Sequence, residues 1–242
     1  MKILIVRHAD PDYSIDSLTE TGWREAELLS QRLTKLDVAA FYQSPLGRAQ
    51  DTASLTLQKL NCTATTCEWL REFAPTIHRP DHETPICAWD WLPADWTREP
   101  RFFDREHWYD VDVMREGNVK EEYLWVCKEL DALLSSHGYV RENDYYRAAK
   151  PNRDTIILFC HFGVECVLLS HLLNISPMQL WHGFCAAPSS VTTIVTEERR
   201  EGIASWRTGS FGDISHLYAA GDSPSFAARF CETFSYKEER HD

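Results

Sequence analysis

The segment Met1-Lys-Ile-Leu-Ile-Val-Arg-His-Ala-Asp10 decides the fold class of this chain. Its central run, from Ile3 to Val6, is apolar throughout and β-branched at three of its four positions. Such a run is typical of a strand buried on both faces, as in a parallel sheet. The run stops at Arg7 and His8, and ligands of open α/β sheets bind just beyond the carboxyl ends of the strands. A cation and an imidazole at this place favour an anionic ligand, although a strand that merely reaches the surface would look the same.

A second apolar run, from Thr155 to Cys160, also ends in a histidine, His161. Between the two runs, Ala39 to Gln43 predicts another short strand. The Ser44-Pro45 pair that follows predicts the cap and the first residue of a helix. Arg48 would then lie near the first helical turn, where unpaired backbone N–H groups bind anions.

Two histidines and two arginines at one sheet edge would surround a tetrahedral dianion. A neutral imidazole can attack phosphorus while cations hold the non-bridging oxygens and stabilise the charge that spreads over them. The pattern therefore favours phosphoryl transfer to a histidine nitrogen. Each piece alone has an ordinary structural explanation, since Arg48 could be a surface residue on a well-capped helix.

Composition narrows the classes of partner and compartment. The 242 residues carry a formal net charge of −12, which argues against nucleic acid or a membrane surface as a partner. A small anionic substrate remains possible because local cations can oppose the overall field. Only four apolar residues separate Lys2 from Arg7, unlike a signal peptide. The eight cysteines form no Cys-x-x-Cys pair, so we expect reduced thiols, a cytoplasmic location and no zinc site.

The length predicts one domain over residues 1–242 that carries an insertion at about residues 73–118. Five prolines interrupt periodicity in this insertion, and tryptophans and phenylalanines accumulate there. We expect it to form a lid or cap, with a satellite core or an oligomer surface as the alternative. His78, His82 and Cys87 lie within it, but their spacing matches no standard metal site.

Helical periodicity predicts two long helices, over residues 19–36 and 119–136, and Thr19 is placed to cap the first. The polar segment 139–153 is interpreted as a loop that leads to the second histidine-terminated strand.

The ordered set of motifs resembles the histidine phosphatase superfamily, whose members are phosphoglycerate mutase-like. The matching segments occur in the family's order, cover about residues 1–72 and 154–217, and are specific only together. They are Val6-Arg-His-Ala9, Leu18-Thr-Glu-Thr-Gly22 with Glu25-Ala26, Ser44-Pro-Leu-Gly-Arg-Ala-Gln-Asp-Thr-Ala53, Leu70-Arg-Glu72, His161-Phe-Gly163 and Phe211-Gly-Asp-Ile-Ser-His-Leu217.

The resemblance implies an α/β fold, a three-layer sandwich with a mostly parallel central sheet and the inserted aromatic-rich cap. It implies that His8 is the nucleophile that becomes phosphohistidine, and that Glu72 is the general acid and base. It counts His161 as both a catalytic and a phosphoryl-binding residue. It also implies that Arg7, Arg48 and His161 bind the phosphoryl group. We add Ser14 to these candidate substrate-binding residues. The resemblance implies neither a metal nor an organic cofactor.

The chain departs from the family pattern in three places. Ala9 replaces the usual glycine after the first histidine, and Phe162 replaces the glycine after the second, where it is expected to narrow the pocket mouth. Residues 73–118 lack the Glu-Arg-x-Tyr-Gly segment with which the family's mutases hold phosphoglycerates. We therefore predict a phosphomonoesterase for a small phosphorylated metabolite. The alternatives are a phosphoglycerate mutase and a non-catalytic phosphoester-binding protein of the same fold.

The acid that protonates the leaving group has several candidates. One branch of the family places an aspartate directly after the second histidine, where this chain has Phe162. Glu72 lies where the other branch carries its glutamate, and we prefer it for that reason. Asp10, Asp12 and Glu165 stay open as alternatives because they are close in sequence to the two histidines.

Overall fold

The computed structural model describes residues 1–226, 230–231 and 233–235. The last residues of the predicted domain, including 236–242, lie outside this part. The strands are β1 (Lys2–Arg7), β2 (Pro11–Asp12), β3 (Ser17–Leu18), β4 (Ala40–Gln43), β5 (Thr65–Thr66), β6 (Thr76–Ile77), β7 (Ile86–Cys87), β8 (Tyr139–Glu142), β9 (Tyr145–Ala148), β10 (Thr155–Cys160), β11 (Val191–Arg200) and β12 (Ile203–Asp213). The helices are α1 (Glu20–Leu33), α2 (Gly47–Leu60), α3 (Pro93–Trp96), α4 (Asp112–Glu116), α5 (Val119–Ser136), α6 (Phe162–Leu173), α7 (Pro177–Gly183) and α8 (Ser215–Ala220).

Eight of the strands form one sheet in the order β5-β4-β10-β1-β11-β12-β9-β8. From β5 to β1 the neighbours are parallel, and from β1 to β8 they are antiparallel. In the register of β1 and β10, Arg7 is opposite Cys160. His8 and His161, which follow these two residues, therefore leave the sheet side by side at the same edge.

Alternate residues of β1 face two separate hydrophobic cores. Ile3 and Ile5 belong to the core that contains residues of α5 and α6. Leu4 and Val6 belong to the core that contains residues of α1 and α2. The strand is buried on both faces, as its apolar sequence predicts. This arrangement confirms the predicted α/β class with a central sheet between helical layers.

The two long helices that the periodicity predicts are present. The Thr19 hydroxyl caps α1 by accepting the N–H of Gly22 at 3.0 Å. A side chain at Gly22 would collide with the backbone oxygen of Asp10, so glycine lets the loop after His8 pack on this helix. The bounds of α5, Val119–Ser136, are those predicted.

Two local predictions are wrong. Ser44 and Pro45 do not begin a helix, because α2 starts at Gly47 and Leu46 is its cap residue. Ser44 instead turns its hydroxyl to His161. The segment predicted to be a loop contains the hairpin β8–β9, which turns at Asn143 with a φ of 54°. Asparagine tolerates this left-handed conformation. The hairpin joins the sheet because β9 pairs with β12.

Aromatic residues join the insertion at 73–118 to the main core. Trp108 is fully buried, with ring centroids 5.2 Å from Tyr123 on α5 and 5.5 Å from Trp181 on α7. The insertion therefore shares the core, and its role as a lid stays a prediction. Among the described residues, no helix is both long and apolar enough to cross a membrane.

Candidate active site

His8 lies just past β1, and only 2 % of its surface is exposed. Its Nδ1 is 2.8 Å from the carbonyl oxygen of Ala9. A carbonyl oxygen can only accept, so Nδ1 carries the proton and the lone pair of the neutral ring lies on Nε2. Burial, together with Arg7 and Arg48, holds the pKa of His8 well below its usual value. His8 is therefore a neutral imidazole at pH 7, the form that a nucleophile requires.

The backbone around His8 is held by three other segments. Its N–H donates to the carbonyl of Cys160 at 3.0 Å, and its carbonyl accepts the N–H of Ser189 at 3.1 Å. The N–H of Ala9 donates to the Thr52 hydroxyl at 2.9 Å. The position of the imidazole thus depends on β10, on the loop before β11 and on α2 together.

His161 faces His8, with ring centroids 5.0 Å apart. Its Nε2 lies 2.8 Å from the Ser44 hydroxyl, whose oxygen already accepts the N–H of Leu46 at 3.2 Å. When the hydroxyl donates its proton to Nε2, the proton of the neutral ring lies on Nδ1. Nδ1 is buried and has no hydrogen-bond partner in the described part of the chain. Burial, His8 and Arg48 lower the pKa of His161 well below its usual value.

Arg7 ends β1 and is 4 % exposed. Its Nη1 donates to the carbonyl oxygen of Ala186, and its guanidinium lies over the Phe162 ring at 5.7 Å from the centroid. Burial lowers the pKa of Arg7, and Glu72 is the main charge that opposes this. An arginine nevertheless stays charged in a protein.

Arg48, in the first turn of α2, is held by Asp16 from the loop between β2 and β3. Its Nη1 is 2.6 Å from Oδ1 of Asp16, and Oδ2 accepts the N–H of Gly47 at 2.7 Å. A side chain at Gly47 would collide with the backbone oxygen of Asp16. The guanidinium lies 5.4 Å from the centroid of the Tyr13 ring. Its Nε is buried and has no hydrogen-bond partner among the described residues.

Glu72 is connected to the start of α6, next to His161. Its Oε1 accepts the N–H groups of Phe73 at 2.8 Å and of Val164 at 3.1 Å. A Cβ at Gly163 would come within 2.6 Å of the same oxygen, so glycine permits this approach. Burial raises the pKa of the Glu72 carboxyl, against these hydrogen bonds and the charge of Arg7. A carboxyl group with a raised pKa is suited to donate a proton near neutral pH.

Asp10 is incorporated in a hydrogen-bond network that closes the loop after His8. One carboxyl oxygen accepts the Thr19 hydroxyl at 2.6 Å, and the other accepts the hydroxyl of Ser225. The N–H groups of Asp10 and Ser225 both donate to the buried Glu25, each at 2.9 Å. These contacts give the Asp10 carboxylate a structural role and occupy both of its oxygens.

Ser14 lies on the exposed part of the same loop. Its N–H and its hydroxyl donate to Oδ1 of Asp12 at 2.9 and 2.5 Å. The structure thus places Ser14 and Asp12 together near solvent, whereas His8 and His161 are buried. The substrate-binding role of Ser14 stays a prediction.

Two aromatic rings from distant segments meet beside the ring of Phe162, the residue that follows His161. The Trp89 ring of the insertion lies 6.2 Å from Phe162, and Phe230 lies 5.2 Å from Phe162 and 6.1 Å from Trp89. Trp89 also donates its Nε1–H to the carbonyl of Phe73 at 2.7 Å, next to Glu72. An apolar wall therefore lies next to the candidate acid.

Several residues that hold this site together were not among the predicted site residues. Ser44 follows a strand that ends at the same sheet edge as His8, and that position could have indicated it. Thr52 lies in the matching segment Ser44–Ala53, which could have indicated it. Asp16 and Phe230 have no local sequence signal, since each contacts the site from another part of the chain. Within the described residues, no group of three histidine, cysteine, aspartate or glutamate side chains could hold a metal ion.

Comparison with known proteins identifies the family. The model of the histidine phosphatase superfamily (branch 1) matches residues 3–142, more than half of the chain. A Schizosaccharomyces pombe protein named as a probable phosphatase is 24 % identical over 233 residues, which cover 90 % of this chain and 95 % of that protein. A mitochondrial serine/threonine-protein phosphatase of Caenorhabditis elegans is 32 % identical over 223 residues. That match covers 89 % of this chain and 63 % of the relative.

Solved structures share the fold. A phosphoserine phosphatase from Entamoeba histolytica aligns with a TM-score of 0.57 and 18 % identity, over 89 % of this chain and 98 % of that chain. A mycobacterial glucosyl-3-phosphoglycerate phosphatase aligns with a TM-score of 0.57 and 17 % identity, over 87 % and 98 %. The chain therefore belongs to branch 1 of the histidine phosphatase superfamily and is an enzyme of the phosphatase class.

Proposed function

We propose that this protein is a phosphomonoesterase that acts on a small phosphorylated metabolite through a phosphohistidine at His8. One observation carries the proposal, the hydrogen bond of 2.8 Å between Nδ1 of His8 and the carbonyl of Ala9. It leaves the Nε2 lone pair of a neutral ring available for attack on phosphorus. His161 at a centroid distance of 5.0 Å supports the same assignment.

In the first half-reaction, Nε2 of His8 attacks phosphorus, an N–P bond forms and the P–O bond to the leaving group breaks. Arg7, Arg48 and His161 hold the non-bridging oxygens, where negative charge accumulates. The buried nitrogens that lack a hydrogen-bond partner within the described residues include Nε of Arg48 and Nδ1 of His161, which donates when its proton lies there. Buried donors are normally satisfied, and phosphoryl oxygens would satisfy both.

Glu72 moves the proton in both half-reactions. Because burial raises the pKa of its carboxyl group, the protonated form is available to donate to the leaving alkoxide. The resulting carboxylate then takes a proton from water, whose oxygen attacks phosphorus and breaks the N–P bond. Ester and water become alcohol and phosphate, His8 recovers its lone pair and Glu72 recovers its proton.

Burial of the reacting groups supports a small substrate. His8 and His161 are 2 % and 0 % exposed, so a phosphorylated side chain on a folded protein would need a large opening to reach them. Two structural neighbours act on small esters, phosphoserine and glucosyl-3-phosphoglycerate. These names support the class of substrate without selecting one member of it.

The experiment follows radiolabelled phosphate from a panel of sugar phosphates, phosphoamino acids, glycerate phosphates and nucleotides, with excess chelator present. We expect acid-labile, alkali-stable label on the protein, followed by inorganic phosphate. Return of the label to a second acceptor instead of water would indicate a mutase. Binding without cleavage of any ester would indicate a non-catalytic phosphoester-binding protein. Activity that required a divalent ion would contradict the metal-free reaction.

Trp89→Leu is expected to change selectivity among esters by about fivefold. Trp89 contacts the Phe162 ring and lies beside Glu72, where the leaving group must lie to receive its proton. One aromatic contact contributes about 1 kcal/mol beyond its buried area. The kcat/KM of esters with bulky leaving groups should therefore change more than that of a small activated phosphate.

Trp96→Leu is the matched control. Its ring packs on Phe103 and His182, each at a centroid distance of 4.9 Å, rather than on Phe162. We expect the selectivity ratio of this variant to equal that of the wild type. Equal changes for all substrates in Trp89→Leu, or the same shift in both variants, would limit the tryptophan to a structural role.

A further inference from the structure

Glu165 is a buried carboxyl group that the proposed reaction does not use. It lies in the first turn of α6, and 1 % of its surface is exposed. Its chain neighbours Val164 and Cys166 are fully buried, so the carboxyl group lies in the protein interior. An ionised carboxylate is costly there unless charges and hydrogen bonds compensate for the lost solvation.

The hydrogen bonds of this carboxyl group are incomplete. The Thr192 hydroxyl on β11 lowers the pKa of this carboxyl group, and its oxygen accepts the N–H of Gly212 at 3.0 Å. Oε1 of Glu165 has no hydrogen-bond partner within the described residues. A carboxylate has about four acceptor sites to satisfy, so this environment suits the neutral acid better than the anion.

Several elements bring titratable groups to Glu165. Arg7 at the end of β1 attracts its negative charge, and Glu72 repels it. The thiols of Cys160 on β10 and Cys166 on α6 are also affected by its charge, and burial raises their pKa so that they stay neutral. Burial is the largest influence on Glu165 itself and raises its pKa to about 7, against its hydrogen bond and the charge of Arg7.

An acidic residue in the first turn of a helix commonly has a purely structural role, because it faces the positive end of the helix dipole. That role is usual for an ionised side chain at the surface. Glu165 differs, since it is buried in the helical turn that begins at Phe162, and the Phe162 ring lies 5.7 Å from the guanidinium of Arg7. The negative charges of Glu165 and Glu72 both favour the charged form of Arg7.

We propose that Glu165 is a positioning residue that acts through Arg7, and that it must hold a proton for the phosphoryl group to bind; this rests on the proposed function of the site. With Glu165 neutral, the guanidinium of Arg7 can direct its charge to the phosphoryl oxygens. With Glu165 ionised, its carboxylate competes for the same guanidinium and repels the dianion.

Affinity for the phosphoryl group should therefore decrease as the pH rises. Below a pH of about 7 Glu165 holds its proton, and affinity for the phosphoryl group is retained. As the pH rises through this value the proton is lost and affinity falls. Because coupling between two bound species is reciprocal, phosphate binding must also favour uptake of a proton by Glu165.

The experiment measures the affinity of inorganic phosphate by calorimetry from about pH 5.5 to about pH 8.5 in the wild type and in Glu165→Gln. Glutamine keeps the shape and an acceptor for Thr192 but cannot ionise. The ratio of variant to wild-type affinity should be close to one at the lower pH and rise about tenfold at the upper pH. Phosphate itself titrates in this range, but this contribution cancels in the ratio. A ratio that stays constant across the range would overturn the proposal.

Two further variants keep the test decisive. Thr192→Val removes a donor that favours the carboxylate, so the midpoint of the affinity loss should move to higher pH. If Glu165→Gln does not fold, an unchanged midpoint in Thr192→Val overturns the proposal. Glu122→Gln, a change at a partly exposed carboxylate paired with Arg71 at 2.8 Å, should keep the wild-type profile.

Ester hydrolysis separates this inference from the proposed function. If the wild type cleaves phosphate esters while the affinity ratio is independent of pH, the role proposed for Glu165 is wrong and the proposed phosphomonoesterase function is retained. If no ester is cleaved but the affinity ratio rises as expected, the proposed phosphomonoesterase function is wrong and Glu165 still controls phosphate binding.

Discussion

His8→Ala is expected to abolish ester hydrolysis and leave the fold intact. Without Nε2 no N–P bond can form, and loss of a nucleophile from a coupled catalytic set costs about 10⁴-fold or more in kcat. The backbone hydrogen bonds of residue 8 to Cys160 and Ser189 do not involve the ring, so alanine can keep them. Phosphate release and rapid-quench labelling check the result, and the acid-labile, alkali-stable label of the wild type should disappear.

His137→Ala is the matched control. His137 is a partly buried histidine whose Nε2 is 2.8 Å from the Tyr42 hydroxyl. It lies near Asp154, which precedes β10, and so at the opposite end of that strand from His161. We expect normal labelling and normal turnover in this variant. Normal turnover in His8→Ala would contradict the phosphohistidine mechanism.

Glu72→Gln is expected to slow hydrolysis of alkyl phosphates by about 10²–10⁴-fold. Hydrolysis of an activated aryl phosphate should be slowed much less. An alkoxide needs a proton as it leaves, whereas an activated aryl oxide leaves without one. Glutamine keeps an oxygen that can accept the N–H groups of Phe73 and Val164. The change therefore removes the acidic proton of residue 72 and leaves its side chain in place. The measurement is the ratio of kcat/KM for the two substrates.

The pH profile gives a second test of Glu72. Its pKa is raised by burial, and the active form for the first half-reaction is the protonated one. Wild-type activity on the alkyl ester should therefore be present below that pKa and fall as the pH rises through it. With saturating substrate, where the weaker binding expected from ionised Glu165 does not limit the rate, the kcat of the Gln variant should lack this fall.

Asp10→Asn and Glu122→Gln are the controls for the acid. Asp10 already accepts hydroxyl groups at both oxygens, and Glu122 pairs with Arg71 outside the site. Neither change should alter the substrate ratio. If Asp10→Asn gave the alkyl-selective loss and Glu72→Gln did not, Asp10 would be the acid.

Most of the sheet core could be predicted from local patterns. The apolar runs of β1 and β10 are buried on both faces, and a strand in that environment must be apolar at successive positions. The helix Val119–Ser136 is likewise predicted by the helical spacing of its apolar residues. The hairpin β8–β9 was missed because its alternating polar residues resemble a loop until β12 is available for pairing.

The site was predictable only in part. The strand ends and the motifs indicated His8, Arg7 and His161. The family motif favoured Glu72 over Asp10 as the acid, but the sequence could not show that both oxygens of Asp10 are occupied, because the hydrogen bonds come from Thr19 and from distant Ser225.

The sequence by itself determined which chemical groups stand at the carboxyl edge of the sheet. Only the tertiary structure decided what each of them meets, with Ser44 at His161, Asp16 at Arg48 and a buried Glu165 near Arg7. The spacing of apolar residues along a strand or helix is set by residues that are close in sequence, so it can be recognised before the chain is folded. A hydrogen bond such as that between Ser44 and His161 spans 117 positions, and its geometry and burial exist only once the segments are packed together.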